Sequence, residues 1–201
     1  MNDNRTIDTR VSGEPVGDLV TCLARAFQDD PGLAYIMPDP DKRAELLPSF
    51  FEVMTRQSLR HGEVLAAANG EAASLWYPAG KVREGWFEGM RDSLWLLRIL
   101  GTGVLRGVRA GDAMYAHHPD PQPHAYLRFV GVAPEAQGKG WGGKIIREGI
   151  DRAAREGLGV LLETATESNL AIYTRLGFHI TETWFVPGGG PQFWTMIRPN
   201  R

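Results

Sequence analysis

Cysteine is nearly absent from this sequence. Cys22 is the only one in 201 residues, so no internal disulfide can form, and a chain with one thiol fits a reducing compartment, here expected to be the cytoplasm. Net charge is nearly absent as well. Lysine and arginine number 22 against 24 aspartates and glutamates, a balance of −2. No basic cluster is interleaved with stacking aromatics, which leaves no electrostatic footprint for nucleic acid. No uncharged apolar run approaches the length of a membrane span, and the opening MNDNRTIDTR is polar and mixed in charge, unlike a signal or transit segment. Metal-ligand spacing is missing too. Histidines 117, 118 and 124 crowd one proline-rich stretch, but they match no zinc pattern and no cysteine or acidic partner stands at ligand spacing. What remains is an ordinary globular composition, 43% hydrophobic and 23% charged, read as one domain over 1–201 with one core.

Glycine, by contrast, is concentrated where it can act. In 126-YLRFVGVAPEAQGKGWGGKIIREGIDRAAR-155 an apolar run from Tyr126 to Val132 reads as a strand that Pro134 stops. Glycines follow at 138, 140, 142 and 143, and Ile145, Ile146, Gly149, Ile150, Ala153 and Ala154 then recur at helical spacing. A strand that feeds a helix through a side-chain-poor loop is a phosphate-binding device. The first helical turn has free N–H groups, its dipole favours an anion, and glycine admits a ligand to the backbone.

Three readings of the loop compete. Gly138-x-Gly140-x-x-Gly143, with Glu163 about twenty residues on, fits the letters of a dinucleotide fingerprint. However, five residues (Ala133 to Gln137) separate the strand from its first glycine, and too little chain follows Glu163 for further βαβ units. Gly138 to Lys144 spells most of a phosphate-binding Walker loop, yet Ile145 stands where the magnesium-binding hydroxyl belongs. The third reading takes Gln137-Gly138-Lys139-Gly140-Trp141-Gly142 as Q/R-x-x-G-x-G/A a few residues after Val130-Gly-Val132. This resembles the acyl-CoA-binding motif of the GNAT family of N-acetyltransferases. A downstream segment, Asn169-Leu-Ala-Ile-Tyr173-Thr-Arg-Leu-Gly177-Phe178, resembles the family's second signature, a short helix that ends at Leu-Gly-Phe and enters a strand. The resemblance covers residues 124–198 well and the N-terminal half loosely.

The rest of the chain supplies elements around this unit. Residues 5–11 alternate as a first strand, and Val16, Leu19, Cys22, Leu23, Ala26 and Phe27 make an amphipathic helix with Cys22 on its apolar stripe. Asp29 and Asp30 close that helix and either face solvent or attract a cationic amine. Asp39-Pro40 opens a second helix with Leu46, Leu47, Phe50, Phe51 and Met54 on one face, ended by His61-Gly62. Glu63–Ala68 and Ala72–Tyr77 read as a hairpin about Asn69-Gly70. Residues 83–108 form one helical stripe (Trp86, Phe87, Met90, Leu94, Leu97), read either as a core helix or as a mobile lid whose following glycines (101, 103, 107, 111) permit movement. A histidine- and proline-rich loop from Tyr115 leads to the strand at Tyr126. After the central helix, 144–156, come strands over Leu158–Thr164, Phe178–Val186 and Gln192–Arg198.

The resemblance implies a GNAT acyl-CoA N-acyltransferase fold, mixed α/β, with a largely antiparallel sheet of about seven strands flanked by helices. Residues 1–125 then form the acceptor side, 126–178 the acetyl-CoA core and 179–201 the last strands. The loop before Tyr126 resembles that of the puromycin N-acetyltransferase-like group. The implied activity is acetyl transfer from acetyl-CoA, without metal, to the primary amine of a small molecule by direct attack in a ternary complex, by a monomer or homodimer with no nucleic-acid or membrane partner. A protein or peptide acceptor, or a non-catalytic acyl-CoA sensor, stands as the alternative.

The site residues follow from the same resemblance. Gln137, Gly138, Lys139, Gly140, Trp141, Gly142 and Gly143 hold the pyrophosphate, with Lys139 either adding charge or simply solvated. Val130 and Val132 pair their backbones with the pantetheine arm as an added strand does. Tyr173 is the general acid, since a phenol with an ordinary pKa near 10 can protonate a departing thiolate. Asn169 lies one turn before it and either bonds the CoA arm or caps the short helix, because the family's usual asparagine position is Thr166 here. The general base is open among Glu163, His124 and His118. Histidine is the side-chain type that changes charge near neutral pH. Cys22 lies elsewhere on a core stripe, which argues against a covalent acyl-enzyme.

Overall fold

The computed structural model describes residues 6–10, 16–81, 90–118 and 124–200. In chain order the elements are β1 (Ile7–Arg10), α1 (Gly17–Ala26), α2 (Pro31–Ile36), α3 (Pro40–His61), β2 (Glu63–Ala67), β3 (Ala72–Tyr77), α4 (Met90–Leu100) and α5 (Gly103–Ala116). Then follow β4 (His124–Val132), α6 (Trp141–Arg155), β5 (Gly159–Thr164), α7 (Leu170–Arg175), β6 (His179–Phe185) and β7 (Gln192–Arg198). The seven strands form one sheet in the order β1-β2-β3-β4-β5-β7-β6. Among the described strands only the β4–β5 pair is parallel, as a strand–helix–strand crossover through α6 requires.

The sheet is covered on both faces. On one, α6 sets Ile145, Ile146, Ile150 and Ala153 against Leu65, Leu127, Val160 and Leu162. It comes this close because Gly149 has no side chain: a Cβ there would stand 2.1 Å from Cζ2 of Trp76. On the other face, Leu19 and Leu23 of α1 and Leu47, Phe51 and Met54 of α3 pack on Val64, Ala66, Ala73 and Leu75. Cys22 is buried with its Sγ 3.8 Å from the Gly131 carbonyl. Burial pushes its thiol pKa from 9.0 up to about 11, which fits a core thiol and not a nucleophile.

Four expectations change. Residues 31–36 form α2, whose start is set by Asp30: its carboxylate accepts from the Leu33 N–H at 2.9 Å, and Pro31 takes the first helical position. The stripe expected over 83–108 is two helices, broken at Gly101, whose φ of +52° is left-handed, and the second runs on to Ala116, into what reads as loop. The Trp86–Phe87 part of that stripe and residues 119–123 lie outside the described residues, as does the side chain of Met90. The glycines of α5 are contacts more than hinges. A Cβ at Gly103 would meet the Ile36 carbonyl at 2.7 Å, Gly107 faces the Ile36 side chain, and Arg106 donates to the Ile36 carbonyl at 2.9 and 3.3 Å. Finally, α6 starts at Trp141, so Gly142 and Gly143 belong to its first turn. No described helix is long and apolar enough to cross a membrane.

Candidate active site

The site begins where two strands part. β4 and β5 are paired from His124–Gly159 to Leu127–Leu162 and no further, while β5 continues beside β7 through Glu163 and Thr164. At the same level β4 carries a bulge: Leu127 pairs with Trp76 and Phe129 with Leu75, leaving Arg128 without a partner. A bulge bends its strand and redirects side chains. From Arg128 to Val132 the β5-facing edge of β4 therefore has no strand beside it. Val130 and Val132 lie along this edge, with their other edge held by Ser74 and Ala72. An open edge of free N–H and C=O groups accepts an extended ligand as an added strand.

The open edge runs into the glycine cradle. One helical turn at Pro134–Ala136 offsets the loop, and Gln137 donates from Nε2 to the Val132 carbonyl at 3.3 Å, tying the loop to the strand. Gly138 and Gly140 have φ of +75° and +86°, a left-handed conformation that side chains with Cβ resist. Gly140 occupies the N-cap of α6 and offers no capping side chain, so the N–H groups of the first turn are left for an external acceptor. The Trp141 side chain is not part of the cradle: its indole is buried and donates to Glu71 Oε2 at 2.7 Å. Trp141 brings only its backbone to the loop, as do Gly142 and Gly143. The exposed Gln137 and Lys139 flank it. This arrangement fits the pyrophosphate and pantetheine of acetyl-CoA. Among the described residues no three His, Cys, Asp or Glu side chains could hold a metal ion.

A cavity of about 730 Å³ adjoins the parted strands. Its walls come from the end of α1 and from α2 to α5 on one side and from β4, β5, α7 and β7 on the other, and include Phe27, Phe50, Leu96, Leu100, Phe129 and Phe193. Tyr173, Asn169, Thr164 and Val130 line it at the strand opening, and Glu163, His118, Tyr126 and Arg128 at its polar floor. Asn169 precedes α7 without a capping bond from its side chain, which removes the capping role. Tyr173 is buried, packed on Phe178, and its phenol is pushed well above the ordinary value by burial and then by the negative charge of Asp30. Such a phenol keeps its proton until it is taken by a strong base. Asp30 itself is raised by burial, offset by the N–H groups of Leu33 and Gly32.

The carboxylate of Glu163 is 1% exposed, and its Oε1 lies 2.6 Å from Nε2 of the nearly buried His118. The approach is short but poorly directed: neither carboxylate oxygen accepts a well-formed hydrogen bond among the described residues. The carboxylate's lone pairs are thus left without a donor, in a residue that lines the cavity. The Tyr126 ring stands edge-on to His118, centroids 5.1 Å apart. Burial and then the Glu163 charge hold its phenol well above the usual range. His124 does not join them. It opens β4 opposite Gly159, four residues before Glu163 in register and so about 13 Å away along the strand, and it does not line the cavity. Arg128 escaped the sequence reading, although an arginine inside the apolar run Tyr126–Val132 was the visible signal.

These features define an acyltransferase of known kind. The profile of the Acetyltransferase (GNAT) family matches residues 62–178, and the chain belongs to that family. An uncharacterized N-acetyltransferase from Schizosaccharomyces pombe is 28% identical over 179 residues, 84% of this chain and 72% of that protein. Among solved structures, a histone acetyltransferase HPA2 and related acetyltransferase from Corynebacterium glutamicum shares 26% identity with a TM-score of 0.70, over 98% of this chain and 97% of that one. Arylalkylamine N-acetyltransferase 2 from Aedes aegypti shares the fold at 14% identity and a TM-score of 0.61, over 99% and 100%. The protein is an acetyltransferase of the GNAT type.

Proposed function

We propose that this acetyltransferase modifies the primary amine of a small molecule, by direct attack within a ternary complex. The carrying observation is the roofed cavity of about 730 Å³ that joins Tyr173 at the strand opening to the Glu163–His118 pair at its floor. Helices α4 and α5 stand over it, which suits a compact acceptor better than a protein surface. The Schizosaccharomyces and Aedes relatives support amine chemistry, and the segment before β4 supports kinship with the puromycin N-acetyltransferase-like group. The single buried thiol supports a cytoplasmic setting.

Acetyl-CoA, when bound, supplies the acetyl group as a thioester; the chain's residues do the rest. The backbone of Gly138–Gly143 holds the pyrophosphate, and the open edge at Val130 and Val132 aligns the pantetheine. The floor receives an ammonium group, and Glu163, with His118 behind it, takes the proton that must leave before nitrogen has a free lone pair. A second proton leaves nitrogen as the amide forms, one proton ends on the thiol, and one is released. Tyr173 Oη holds the proton that the departing sulfur needs.

Acetyl-CoA-dependent thiol release across aminonucleosides, aminoglycosides, polyamines, amino acids and short peptides tests this reading. We expect turnover among the small amines. Turnover confined to peptides moves the acceptor to a protein, and tight CoA binding with no turnover makes the chain a sensor.

A further inference from the structure

The floor of the cavity carries one charge that transfer to a simple amine does not use. Arg128, unpaired in the β4 bulge, donates from Nη1 to Tyr77 Oη at 2.9 Å and Gln57 Oε1 at 3.2 Å. Its guanidinium carbon lies 5.4 Å from the Tyr77 ring centre and 5.5 Å from that of Phe129. Two neutral acceptors and two ring faces fix the group's orientation without neutralising it. Among the described residues no carboxylate forms an ion pair with it, and its Nε and Nη2 meet no acceptor. A held guanidinium with an open edge in a ligand cavity presents the fork that carboxylates bind.

Its position relative to Glu163 narrows the ligand. Leu127 and Leu162 are the last paired residues of β4 and β5, so Arg128 and Glu163 are the next residue on each strand where the two part. They do not pair with each other; Glu163 is engaged by His118. Tyr126 lies within the field of both. A cation and an anion at one end of one cavity, the guanidinium half-buried and the carboxylate buried, match a zwitterion whose charges are close together. Phe27, Phe50, Met54, Leu96, Leu100 and Phe129 line the remaining space, which suits an apolar body.

We propose that the acceptor is an amino acid, with its ammonium and carboxylate on the same or neighbouring carbons and a large apolar side chain, and that Arg128 is its carboxylate subsite. Gln57 and Tyr77 are positioning residues for that guanidinium. This rests on the reading of the cavity as the amine site.

Matched pairs that differ only in the carboxylate test it: phenylalanine against phenethylamine, leucine against 3-methylbutylamine, each with acetyl-CoA and the full chain. We expect kcat/KM for the amino acid to exceed that of its partner by about ten- to a hundredfold, the span of one charge-assisted hydrogen bond. Arg128→Gln should erase that ratio through KM of the amino acid, and the wild-type ratio stands as a test even if the variant does not fold. Equal or better turnover of the carboxylate-free partner overturns the proposal. So does acetylation of other amines with neither member of any pair accepted, which leaves the acetyl-transfer reading intact. Failure to bind CoA in calorimetry overturns the acetyl-transfer reading and, with it, this one.

Discussion

Tyr173 and Cys22 show how burial sorts two acidic side chains into different roles. Both are pushed upward by loss of water, but only Tyr173 lines the cavity. A phenol raised by burial and by Asp30 stays protonated across the neutral range but is a weaker acid than an ordinary tyrosine, so it gives up its proton only as negative charge builds on the departing sulfur. Tyr173→Phe should keep acetyl-CoA affinity and lower turnover by roughly ten- to a thousandfold, the usual effect of losing a general acid; steady-state kinetics beside calorimetry checks both halves. Cys22 makes a prediction about stability. Its pKa is 9.0 when free and about 11 in the fold, so the stabilising contribution is complete below pH 9.0 and is lost as pH rises toward 11, because the unfolded chain then sheds a proton that the folded one keeps. Urea titrations at pH 8 and pH 10.5 should show the loss, and Cys22→Ala should lessen it. An unchanged pH dependence in the variant would place the effect elsewhere.

At the scale of elements, α6 is where backbone geometry decides most. Its start needs Gly140 at φ +86°, a conformation that costs other residues about 1–2 kcal/mol. Aspartate tolerates it better than most, so Gly140→Asp should stay folded. Its carboxylate would repel the pyrophosphate, and calorimetry should find CoA binding abolished; retained affinity would remove the cradle assignment. Further along, Gly149→Ala sets two effects against each other. Alanine in place of glycine favours a helix by about 1 kcal/mol. Against that, the new Cβ lies 2.1 Å from a Trp76 ring that is anchored by its Nε1–Ser74 Oγ hydrogen bond at 2.8 Å, and overpacking of this kind costs about 1–3 kcal/mol. The clash should win, with a lower melting temperature; a rise would mean that the ring yields freely. The strand, glycine loop and helix were legible because each has a local signal: an apolar run, a breaker, a helical period. So was the hairpin at Asn69-Gly70. The break at Gly101, the existence of α2 and the pairing of His118 with Glu163 were not. α2 is a single short stretch whose apolar residues have no room to show a period. Gly103 and Gly107 read as freedom in sequence but serve as contact surface once Ile36 lies against them. His118 and His124 are equivalent on paper, and only the β4–β5 register separates them.

For the whole molecule, the parted strands divide the work. Under the proposed function, β4, the cradle and α7 present the acyl donor's binding surface, while α2 to α5 close the acceptor's side. Among the polar ties of the acceptor side are Arg106 to the Ile36 carbonyl near the start of α5, and His117 at its end, stacked on Trp184 at 4.6 Å and 2.9 Å from Glu182. Removing the first tie should loosen the roof without touching the cradle. A hydrogen bond from a charged donor contributes about 1.5–3 kcal/mol, so Arg106→Ala should raise amide exchange over residues 103–116 by roughly ten- to a hundredfold if those amides exchange by local opening. The acceptor KM should rise with it, while CoA affinity stays where it was. If CoA affinity fell in step with the acceptor KM, the two sides of the sheet would be one cooperative unit, and α5 would serve the donor site as well as the acceptor.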